Sequence, residues 1–378
     1  MNQRNGKRNI VMFGHKRIPS REGGVEIVVE ELSTRMAALG HRVTCYNRGG
    51  HHVSGREFDV DAGKAYRGVR LTTVPTLDKK GLAAVTSSFF ASVRSAFSTA
   101  DVVHIHAEGP ALFCWIPRLF GKKVIVTVHG LNWQCDKWKN SIGARVILMG
   151  ERAAVRFAHE IIVLNRATQT YFSETYGRKT AYIPNGVSRP QKVPLQEAAK
   201  AFSLEPDGYI LFLGRLVPEK GVHYLIEAFR AVQTEKKLVI AGGSSDSADY
   251  ISQLKQMAAG DDRILFTGFI QGRMLEELYS NAYLYVLPSD TEGMPLSLLE
   301  AMSYGNCCLI SDIPGSTEVA EDKAVIFRKS DIEDLTKHLQ VLCVENLTVL
   351  NIKKPVRDFI CEKYSWDDVV QKTLELYQ

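Results

Sequence analysis

The sequence predicts an α/β protein made of two doubly wound domains that face each other across a cleft. Apolar, β-branched runs alternate with helical patterns along the whole chain, which is typical of parallel sheets covered by helices. Each half opens in the same way, with V-M-F-G ending at Gly14 and L-F-L-G ending at Gly214. The length of 378 residues also fits two domains, since one domain takes roughly 100–200 residues.

The first half contains candidate strands and two clear amphipathic helices. The helices are Val25–Leu39 and Ile142–Phe157, in which apolar residues recur with a period near 3.6. The strands are short runs rich in β-branched residues. They are Asn9–Phe13, Arg42–Tyr46, Arg70–Val74, Asp101–Ile105, Lys123–Val128 and Glu160–Leu164.

The second half repeats this pattern, and the joint between the halves is expected near Pro184–Pro206. This stretch holds P-N-G, R-P, V-P and E-P and shows no clear strand pattern. In doubly wound sheets a ligand binds beyond the carboxyl ends of the strands, so residues that follow the strands are site candidates. The strands are Tyr209–Leu213, Lys237–Ala241, Arg263–Phe266, Ala282–Leu287 and Cys307–Ile310.

The composition is that of an ordinary globular protein, with 45% hydrophobic and 24% charged residues. No apolar run approaches the ~18 residues of a membrane span, and the N-terminal M-N-Q-R-N-G-K-R lacks the apolar core of a signal peptide. We therefore expect a cytoplasmic protein. Its seven cysteines form no C-x-x-C, so we expect reduced, mostly buried thiols and neither a disulfide framework nor a thiolate zinc site.

The two halves carry opposite charge. Residues 1–190 hold 28 Lys and Arg against 14 Asp and Glu, a net charge of +14, whereas residues 191–378 carry −9. A basic half suits nucleic acid, an anionic membrane surface or a phosphorylated substrate, or it is only a solvated surface. Nucleic acid is disfavoured, because we find no helix-turn-helix, zinc-finger or aromatic RNA-binding motif.

The segment E-G-M-P-L-S-L-L-E, from Glu292 to Glu300, is the most informative motif. Gly293 permits a tight turn, Pro295 suits a first helical position, and the leucines that follow supply a buried helical stripe. Glu292 would then lie at a helix N-terminus. A carboxylate at this position is explained by a role such as holding ligand hydroxyls beside a phosphate. The alternatives are that Glu292 only caps the helix and that Glu300 is only solvated.

Two further motifs follow predicted strands. G-R-L-V-P-E-K-G places Arg215 and Lys220 just before a helix that begins near Gly221, and two cations at a helix N-terminus suit a pyrophosphate. Gly23 and Gly24 precede the first helix and would let a ligand approach the backbone closely. Each motif alone also fits an ordinary solvated loop.

Histidines mark the ends of two other strands. His129 follows the strand Lys123–Val128, so its imidazole is expected to project into the cleft. A lone histidine is more often structural, but this position favours function. His104 and His106 share one face of a strand, yet no third ligand with suitable spacing follows, so a metal site is not expected.

Together these motifs resemble the retaining glycosyltransferases of family 4, which have the GT-B architecture of two Rossmann-like domains. The resemblance covers nearly the whole chain. The segments G-H-K-R-I-P-S-R-E-G-G-V-E and H-G-L-N-W-Q-C-D-K-W further resemble a bacterial subgroup assigned to rhamnosyl transfer and surface-polysaccharide assembly. The motifs are the two glutamates at 292 and 300, G-R-L-V-P-E-K-G at 214–221, P-N-G-V at 184–187, T-V-H-G at 127–130 and the glycine pair at 23–24.

The resemblance implies an acceptor-binding domain at 1–188 and a donor-binding domain at 189–363. A last helix, at about 364–378, would pack back on the first domain. The co-substrate would be a UDP-, GDP- or dTDP-sugar, and neither a cofactor nor a metal is implied. The sugar would pass to an acceptor hydroxyl by front-face substitution with retention, and the leaving phosphate would take the acceptor's proton.

The resemblance also assigns roles to single residues. Arg215 and Lys220 would hold the pyrophosphate, Glu300 the ribose and Glu292 the transferred sugar, which His129 would also reach. Many family members have glycine where this chain has Pro295, so one backbone donor is missing there. Further donor contacts would come from Gly23 and Gly24 over the phosphates, Phe269 and Ile270 at the base, and Gly293, Met294 and Leu296 along the sugar and phosphates.

The basic first domain would carry the acceptor, a glycan or a lipid-linked pyrophosphate, with His129 and Asn185 as candidate contacts. Peripheral contact with the anionic inner face of the cell membrane would suit the stretch Gly81–Phe97 and the pair Lys79 and Lys80. A core helix and core tryptophans are the alternatives. The tryptophans in question are Trp115, Trp133 and Trp138.

Two other classes of protein remain open. A GT-B enzyme of different chemistry would be a nucleotide-sugar epimerase or a phosphorylase, and a phosphorylase needs a lysine that bears pyridoxal. A non-catalytic glycan-binding protein would keep the fold without turning over a donor.

Overall fold

The computed structural model describes residues 6–50, 63–77, 79, 81–131, 133, 141–243 and 247–378. The chain forms two compact units. The first comprises Met1–Asn185 with Trp366–Gln378, and the second comprises Gly186–Ser365.

The first unit contains a sheet with eight described strands, in the order β3-β4-β2-β1-β5-β6-β7-β8. All neighbouring strands are parallel except β3 and β4. The helices that connect them are α1 (Gly24–Ala38), α2 (Leu82–Ala96), α3 (Trp115–Leu119), α4 (Ile142–Phe157) and α5 (Arg166–Tyr176). The strands are β1 (Asn9–Phe13), β2 (Arg42–Arg48), β3 (Ala65–Tyr66), β4 (Val69–Val74), β5 (Val102–His106), β6 (Lys123–Val128), β7 (Glu160–Val163) and β8 (Ala181–Tyr182).

The strand order reverses beside β1, which lies between β2 and β5. The chain first builds outward to β2 and β4, then returns to place β5 on the other side of β1. Gly14, directly after β1, has a φ of +112°, and a Cβ added there would lie 2.1 Å from the carbonyl oxygen of His106. Only glycine allows the ends of β1 and β5 to meet this closely, and such a switch point is where doubly wound sheets bind ligands.

The second unit repeats the architecture with a parallel sheet of six described strands, in the order β11-β10-β9-β12-β13-β14. Its switch point lies between β9 and β12. The strands are β9 (Tyr209–Leu213), β10 (Lys237–Ala241), β11 (Ile264–Gly268), β12 (Leu284–Leu287), β13 (Cys307–Ser311) and β14 (Val325–Phe327). The helices are α6 (Glu197–Phe202), α7 (Val222–Ala231), α8 (Ala248–Ala258), α9 (Gly272–Asn281), α10 (Leu296–Ser303), α11 (Pro314–Ala320), α12 (Ile332–Val344) and α13 (Asn346–Lys363).

The last helix, α14 (Trp366–Leu376), belongs to the first unit. It packs against α1, where Arg35 forms an ion pair of 3.1 Å with Asp367. Beyond the helix, Tyr377 is fully buried, and its hydroxyl lies 2.6 Å from Nδ1 of His104. No helix in the described parts of the chain is both long and apolar enough to cross a membrane.

The prediction of two doubly wound α/β domains is confirmed. The bounds of β1, β6, β9, β10 and α4 agree residue for residue with the predicted segments. One detail is wrong, because Gly24 is the first residue of α1 rather than a residue before it. The stretch Pro184–Pro206, where no strand pattern was seen, contains the helix α6. The short strands β3, β8 and β14 were not predicted, since two or three residues carry no recognisable alternation.

Candidate active site

The predicted donor residues of the second unit follow the carboxyl ends of its parallel strands. Phe269 and Ile270 come directly after β11, and Arg215 comes two residues after β9. Lys220 ends the turn that precedes α7, and Glu292 lies in the loop between β12 and α10. Because carboxyl ends of parallel strands share one edge of a sheet, the structure brings these residues to the same edge.

Lys220 and Glu292, which are 72 positions apart, form a direct ion pair between Lys220 Nζ and Glu292 Oε1. The two side chains are only 15% and 10% exposed. Ser289, which is fully buried, donates its hydroxyl to the same carboxylate oxygen at 2.7 Å. Shielding from water strengthens charge interactions, so this lysine is suited to hold a phosphate. The sequence analysis missed Ser289.

Arg215 lies in a different environment. Its side chain is exposed and forms no ion pair with any residue that the structure describes. At this edge Lys220 is thus a shielded cation already neutralised by a carboxylate, and Arg215 is an open cation.

Backbone contacts hold the Lys220 turn against the loop that carries Glu292. The turn is a 3-10 helix over Pro218–Lys220, and Gly221 follows it with a φ of +66°. A Cβ added at Gly221 would lie 2.0 Å from the carbonyl oxygen of Pro288. The N–H of Asp290 donates to the carbonyl of Glu219 at 2.9 Å. Glycine at 221 is therefore required both by its backbone conformation and by the close approach of the two loops.

Glu300 lies in the second turn of α10, and a buried tyrosine contacts its carboxylate. The hydroxyl of Tyr279 donates to Glu300 Oε2 at 3.2 Å. The Tyr279 ring stacks on Tyr304, with 5.3 Å between the ring centroids and 13° between the planes. Stacking and the hydrogen bond together orient the glutamate, a role for Tyr279 that the sequence analysis did not find.

The placement of Pro295 inside the helix is wrong, because α10 begins at Leu296. Pro295 has an extended backbone, with φ −74° and ψ 112°, and its carbonyl accepts N–H groups of the first helical turn at 3.2 Å. It therefore caps the helix, a position in which its missing N–H costs nothing. The side chains of Met294 and Leu296 are buried, so these residues would meet a ligand through their backbone, as would Gly293.

Three histidines in contact lie at the carboxyl edge of the first sheet. His104 and His106 stack with 4.2 Å between ring centroids, and His106 and His129 are 5.3 Å apart. Nδ1 of His106 lies 3.1 Å from Nε2 of His129. His104 and His106 are fully buried, whereas His129 is partly exposed. The bond between His106 and His129 was not predicted.

His104 has a structural role. Its Nδ1 lies 2.6 Å from the Tyr377 hydroxyl, and its Nε2 lies 2.7 Å from Oγ1 of Thr127. Both ring nitrogens are therefore used within the protein. Among the described residues, no group of three or more His, Cys, Asp or Glu side chains is arranged to hold a metal ion.

Burial keeps the histidines of this edge neutral at pH 7. It lowers the pKa of His104 to about 3 and the pKa of His129 to about 4, because a low-dielectric interior disfavours the charged imidazole. Burial likewise lowers the pKa of His15, next to β1, to about 4. The histidines of the first sheet are thus neutral hydrogen-bonding groups, whereas Lys220 and Glu292 of the second sheet form an ion pair.

A buried glutamate connects the start of α1 to this edge. Glu26 is 5% exposed, and its Oε1 accepts the N–H of Lys16 at 2.8 Å. Burial alone would raise the pKa of Glu26, but the Lys16 N–H bond and the positive charge of Lys16 lower it overall. The predicted glycine pair stands beside this carboxylate, with Gly23 directly before α1. The sequence analysis quoted Glu26 within G-G-V-E without giving it a role.

The remaining predicted residues are placed as follows. Asn185 is buried and is the last residue before the crossing into the second unit. The six described cysteines are free, and four of them are buried. Cys135, Lys80 and Trp138 lie outside the described residues.

Two family models match the chain, one over each half. The model described as Glycosyltransferase Family 4 matches residues 22–189, and the model described as Glycosyl transferases group 1 matches residues 196–358. The chain is a family 4-like glycosyltransferase of the GT-B class. The rhamnosyl-transfer subgroup stays a prediction.

Relatives of this glycosyltransferase match it over part of their length. An uncharacterized glycosyltransferase of Methanocaldococcus jannaschii is 33% identical over 177 residues, which is 45% of this chain and 44% of that protein. The O-antigen chain mannosyltransferase B of Escherichia coli is 25% identical over 182 residues, which is 47% of either chain. The matched region therefore spans about half the length of these relatives.

Solved structures match the whole chain. Sucrose-phosphate synthase from Thermosynechococcus elongatus has a TM-score of 0.80 at 19% identity, over 98% of both chains. Anabaena HepE, crystallised with UDP-glucose, has a TM-score of 0.79 at 16% identity, over 97% of this chain and 98% of HepE. At these identities the likeness establishes the fold alone.

Proposed function

We propose that this glycosyltransferase moves a sugar from a nucleotide diphosphate sugar to an acceptor hydroxyl, with retention of the anomeric configuration. The observation that carries the proposal is the shielded pair of Lys220 and Glu292 beside the exposed Arg215. Cations suit the diphosphate of such a donor, and the carboxylate suits its sugar hydroxyls. The complex of the structurally similar HepE with UDP-glucose supports the same class of donor.

Lys220 and Arg215 would hold the diphosphate and stabilise the negative charge that grows on it as the sugar departs. In the free protein Lys220 is paired with Glu292, which spares both groups the cost of an isolated, poorly solvated charge. On donor binding we expect the lysine to turn to phosphate oxygens, while the carboxylate accepts bonds from the sugar hydroxyls. The ion pair is thus exchanged for two ligand contacts.

Glu300, oriented by Tyr279, would accept hydrogen bonds from the ribose hydroxyls. The backbone near Phe269 and Ile270 would contact the base. Further backbone contacts to the sugar and phosphates would come from Gly23, Gly24, Gly293, Met294 and Leu296.

The transfer step needs no base from the protein. The bond between the anomeric carbon and the phosphate oxygen breaks, and the acceptor oxygen bonds to the same carbon on the same face. The acceptor's proton passes to the departing phosphate oxygen, whose charge Lys220 and Arg215 balance. With this countercharge supplied by side chains, the reaction requires no metal ion. Full activity in excess chelator is expected, and activity that Mg²⁺ restores after chelation would contradict this step.

The acceptor would be a glycan or lipid-linked glycan of bacterial surface-polysaccharide synthesis. The net charge of +14 on residues 1–190 suits an acceptor that carries a pyrophosphate. The relative named as an O-antigen chain mannosyltransferase supports this class of product. His129 and Asn185 are the proposed acceptor-side contacts.

Peripheral contact with the cytoplasmic membrane face is proposed for α2, α3 and α4. Phe97 and Leu119 are 73% and 72% exposed, and the ring of Phe97 packs edge-on to Phe120 at 4.7 Å. The three helices contain one carboxylate in their sequence, Glu151, and it is buried. Exposed apolar groups beside exposed cations suit an anionic lipid surface. The exposed cations are Arg94, Arg118, Arg145, Arg152 and Arg156.

The tryptophans predicted at the membrane divide into two environments. Trp115 is 40% exposed and stands on α3, so it fits the proposed face. Trp133 is partly buried, and its indole N–H donates to Glu151 at 3.1 Å, an arrangement that holds it within the unit.

Binding and turnover together test the proposed function. UDP-, GDP-, dTDP- and ADP-sugars would each be added to the purified protein, and the melting temperature would be compared with release of the nucleoside diphosphate. A donor present at 100 times its Kd stabilises the native state by about 2.7 kcal/mol. One nucleotide class should both raise the melting temperature and be cleaved. Binding without cleavage or transfer would contradict catalysis and favour a glycan- or nucleotide-binding role.

A further inference from the structure

We propose that His106 is a positioning residue that makes His129 a hydrogen-bond donor, through Nδ1–H, to the bound sugar substrate. The inference rests on the proposed function, in which His129 contacts a sugar. It adds the tautomer of His129 and the residue that sets it.

The geometry follows from the register of two parallel strands. His106 on β5 pairs with Thr127 on β6, so His129 lies two positions beyond this partner on the same face of the sheet. Nδ1 of His106 lies 3.1 Å from Nε2 of His129, and the two ring planes are inclined by 32°. Nε2 of His129 is therefore occupied by the protein, and Nδ1 is the nitrogen that remains for a ligand.

Two neutral imidazoles share this hydrogen bond, because burial lowers the pKa of both residues well below 7. A neutral imidazole carries a single N–H, so one ring donates and the other accepts. If His106 donates, then Nε2 of His129 accepts and Nδ1 of His129 carries the proton. If His129 donates instead, its Nδ1 is bare and would act as an acceptor.

The other nitrogen of His106 distinguishes the two arrangements. Nε2 of His106 is buried, and no described residue lies within hydrogen-bonding reach of it. If His129 donated, this Nε2 would carry a buried proton without a partner, and orphaned buried N–H groups are rare. If His106 donates, Nε2 is only an unused acceptor, which costs less. The geometry therefore favours donation from His106 and an N–H on Nδ1 of His129.

An N–H on Nδ1 of His129 limits what this residue can do in the transfer step. A histidine that presents an N–H to a sugar oxygen cannot also take the acceptor's proton at that nitrogen. His129 would orient the sugar by donating a hydrogen bond to one of its oxygens, while the departing phosphate serves as the base. Positioning by His106 would then affect turnover more than donor affinity.

His104 provides a matched control on the same strand. It is as buried as His106, but its two nitrogens bond to Thr127 and Tyr377 rather than to His129. His104→Leu therefore reports the cost of losing a buried imidazole. His106→Leu removes the donor to His129 in addition. His106→Asn keeps an N–H near the position of Nδ1 and serves as the conservative rescue.

Two measurements on the full-length protein test the inference. Nitrogen-15 shifts of the histidine rings should show a proton on Nδ1 of His129 in the wild type and loss of this fixed tautomer in His106→Leu. In assays of nucleoside diphosphate release, His106→Leu should lower kcat about tenfold with little change in KM, as expected for a misplaced group. His106→Asn should recover most of the activity, and His104→Leu should keep it if the variant remains folded.

The outcomes separate this inference from the proposed function. A bare Nδ1 on His129, or full kcat in folded His106→Leu while His129→Ala is impaired, would overturn the inference alone. Full activity of His129→Ala would remove the role of His129 and overturn the inference, while the transfer reaction itself would stand. Absence of donor turnover by the wild type would contradict the proposed function. The tautomer measurement uses the free protein, so it tests the inference even if no donor is turned over.

Discussion

The carboxyl edges of the two sheets have the same architecture but carry different kinds of side chain. At the second sheet, Lys220 and Glu292 form a shielded ion pair beside the open Arg215. At the first sheet, His104, His106 and His129 are held neutral. His106 is hydrogen-bonded to His129, and His104 stacks on His106. Charges suit the diphosphate of a donor, whereas neutral polar groups suit hydroxyls. One fold, used twice, therefore offers the two kinds of contact that the proposed transfer would use.

The largest effect should come from removing the shielded cation of the second edge. Lys220→Met should lower kcat by about 10²–10³-fold, similar to the loss of one donor from an oxyanion hole. It should also lower the melting temperature, because Glu292 is left poorly solvated and unpaired. Turnover assays and thermal unfolding would measure both effects, with the exposed Lys255→Met on α8 as the control.

A double variant separates catalysis from stability at this pair. Lys220→Met with Glu292→Gln removes both charges, so the melting temperature should return toward that of the wild type while turnover stays low. Recovery of turnover in the double variant would show that the pair is only structural.

The next effect should come from Glu300. Glu300→Ala should lower kcat/KM by about 10²-fold, because a buried contact to the ribose hydroxyls is lost on donor binding. Tyr279→Phe leaves Glu300 in place and removes the tyrosine hydroxyl, which lies 3.2 Å from the carboxylate and 3.3 Å from the carbonyl of Ser297, so its loss should be several-fold smaller. Steady-state kinetics with varied donor concentration would check both variants. Equal losses in the two variants would argue against direct contact by Glu300.

The first edge should make the protein sensitive to acid. His15, His104 and His129 have folded-state pKa values of about 4, 3 and 4, whereas unfolded histidine titrates near 6.5. Below pH 6.5 the unfolded state therefore binds protons that the folded state does not, and stability falls as pH falls. Each of these histidines should lower the free energy of unfolding by up to about 1.4 kcal/mol for each pH unit below 6.5.

Urea unfolding between pH 7.5 and 5 would measure this loss of stability, in a range where few carboxylates titrate. His104→Leu should reduce the slope by one group, while Lys220→Met should leave the slope unchanged. A free energy of unfolding that stays constant from pH 6.5 to 5 would show that these histidines are not held neutral in solution.

The smallest effect on turnover should come from the exposed face of α2 and α3. Phe97→Ser and Leu119→Ser should each weaken binding to anionic phospholipid vesicles by about tenfold, since each loses about 1.5–3 kcal/mol of apolar burial. Turnover with a water-soluble acceptor should change less than about twofold, in line with surface substitutions. Leu347→Ser, at a residue that is 76% exposed in the second unit, is the matched control. Equal weakening by all three variants would exclude a specific docking face.

Many of the elements and residues at the two sheet edges could be predicted from local sequence. Strands and helices with a clear period, such as β9 and α4, were placed to the residue because their apolar pattern repeats over several positions. Arg215, Lys220, Glu292 and His129 were found because each follows such a strand, and the carboxyl ends of parallel strands lie at one edge.

The contacts between these residues could not be predicted, since they depend on tertiary packing. The Lys220–Glu292 pair joins positions 72 residues apart, and the hydrogen bond from His106 to His129 depends on the register of β5 against β6. Tyr279 has no motif of its own and is brought to Glu300 only by the packing of α9 near α10. Pro295 was placed one position too far into its helix, because proline is favoured at the first helical residue, whereas here it directly precedes that residue.

The most direct test of the central claim is release of nucleoside diphosphate from a panel of nucleotide sugars, in excess chelator, by the wild type and by Lys220→Met. The account predicts that the wild type cleaves or transfers from one class of nucleotide sugar and that Lys220→Met loses about 10²-fold or more of this rate. Equal rates in the two proteins, or no release from any donor in the presence of acceptor lipid extracts, would contradict it.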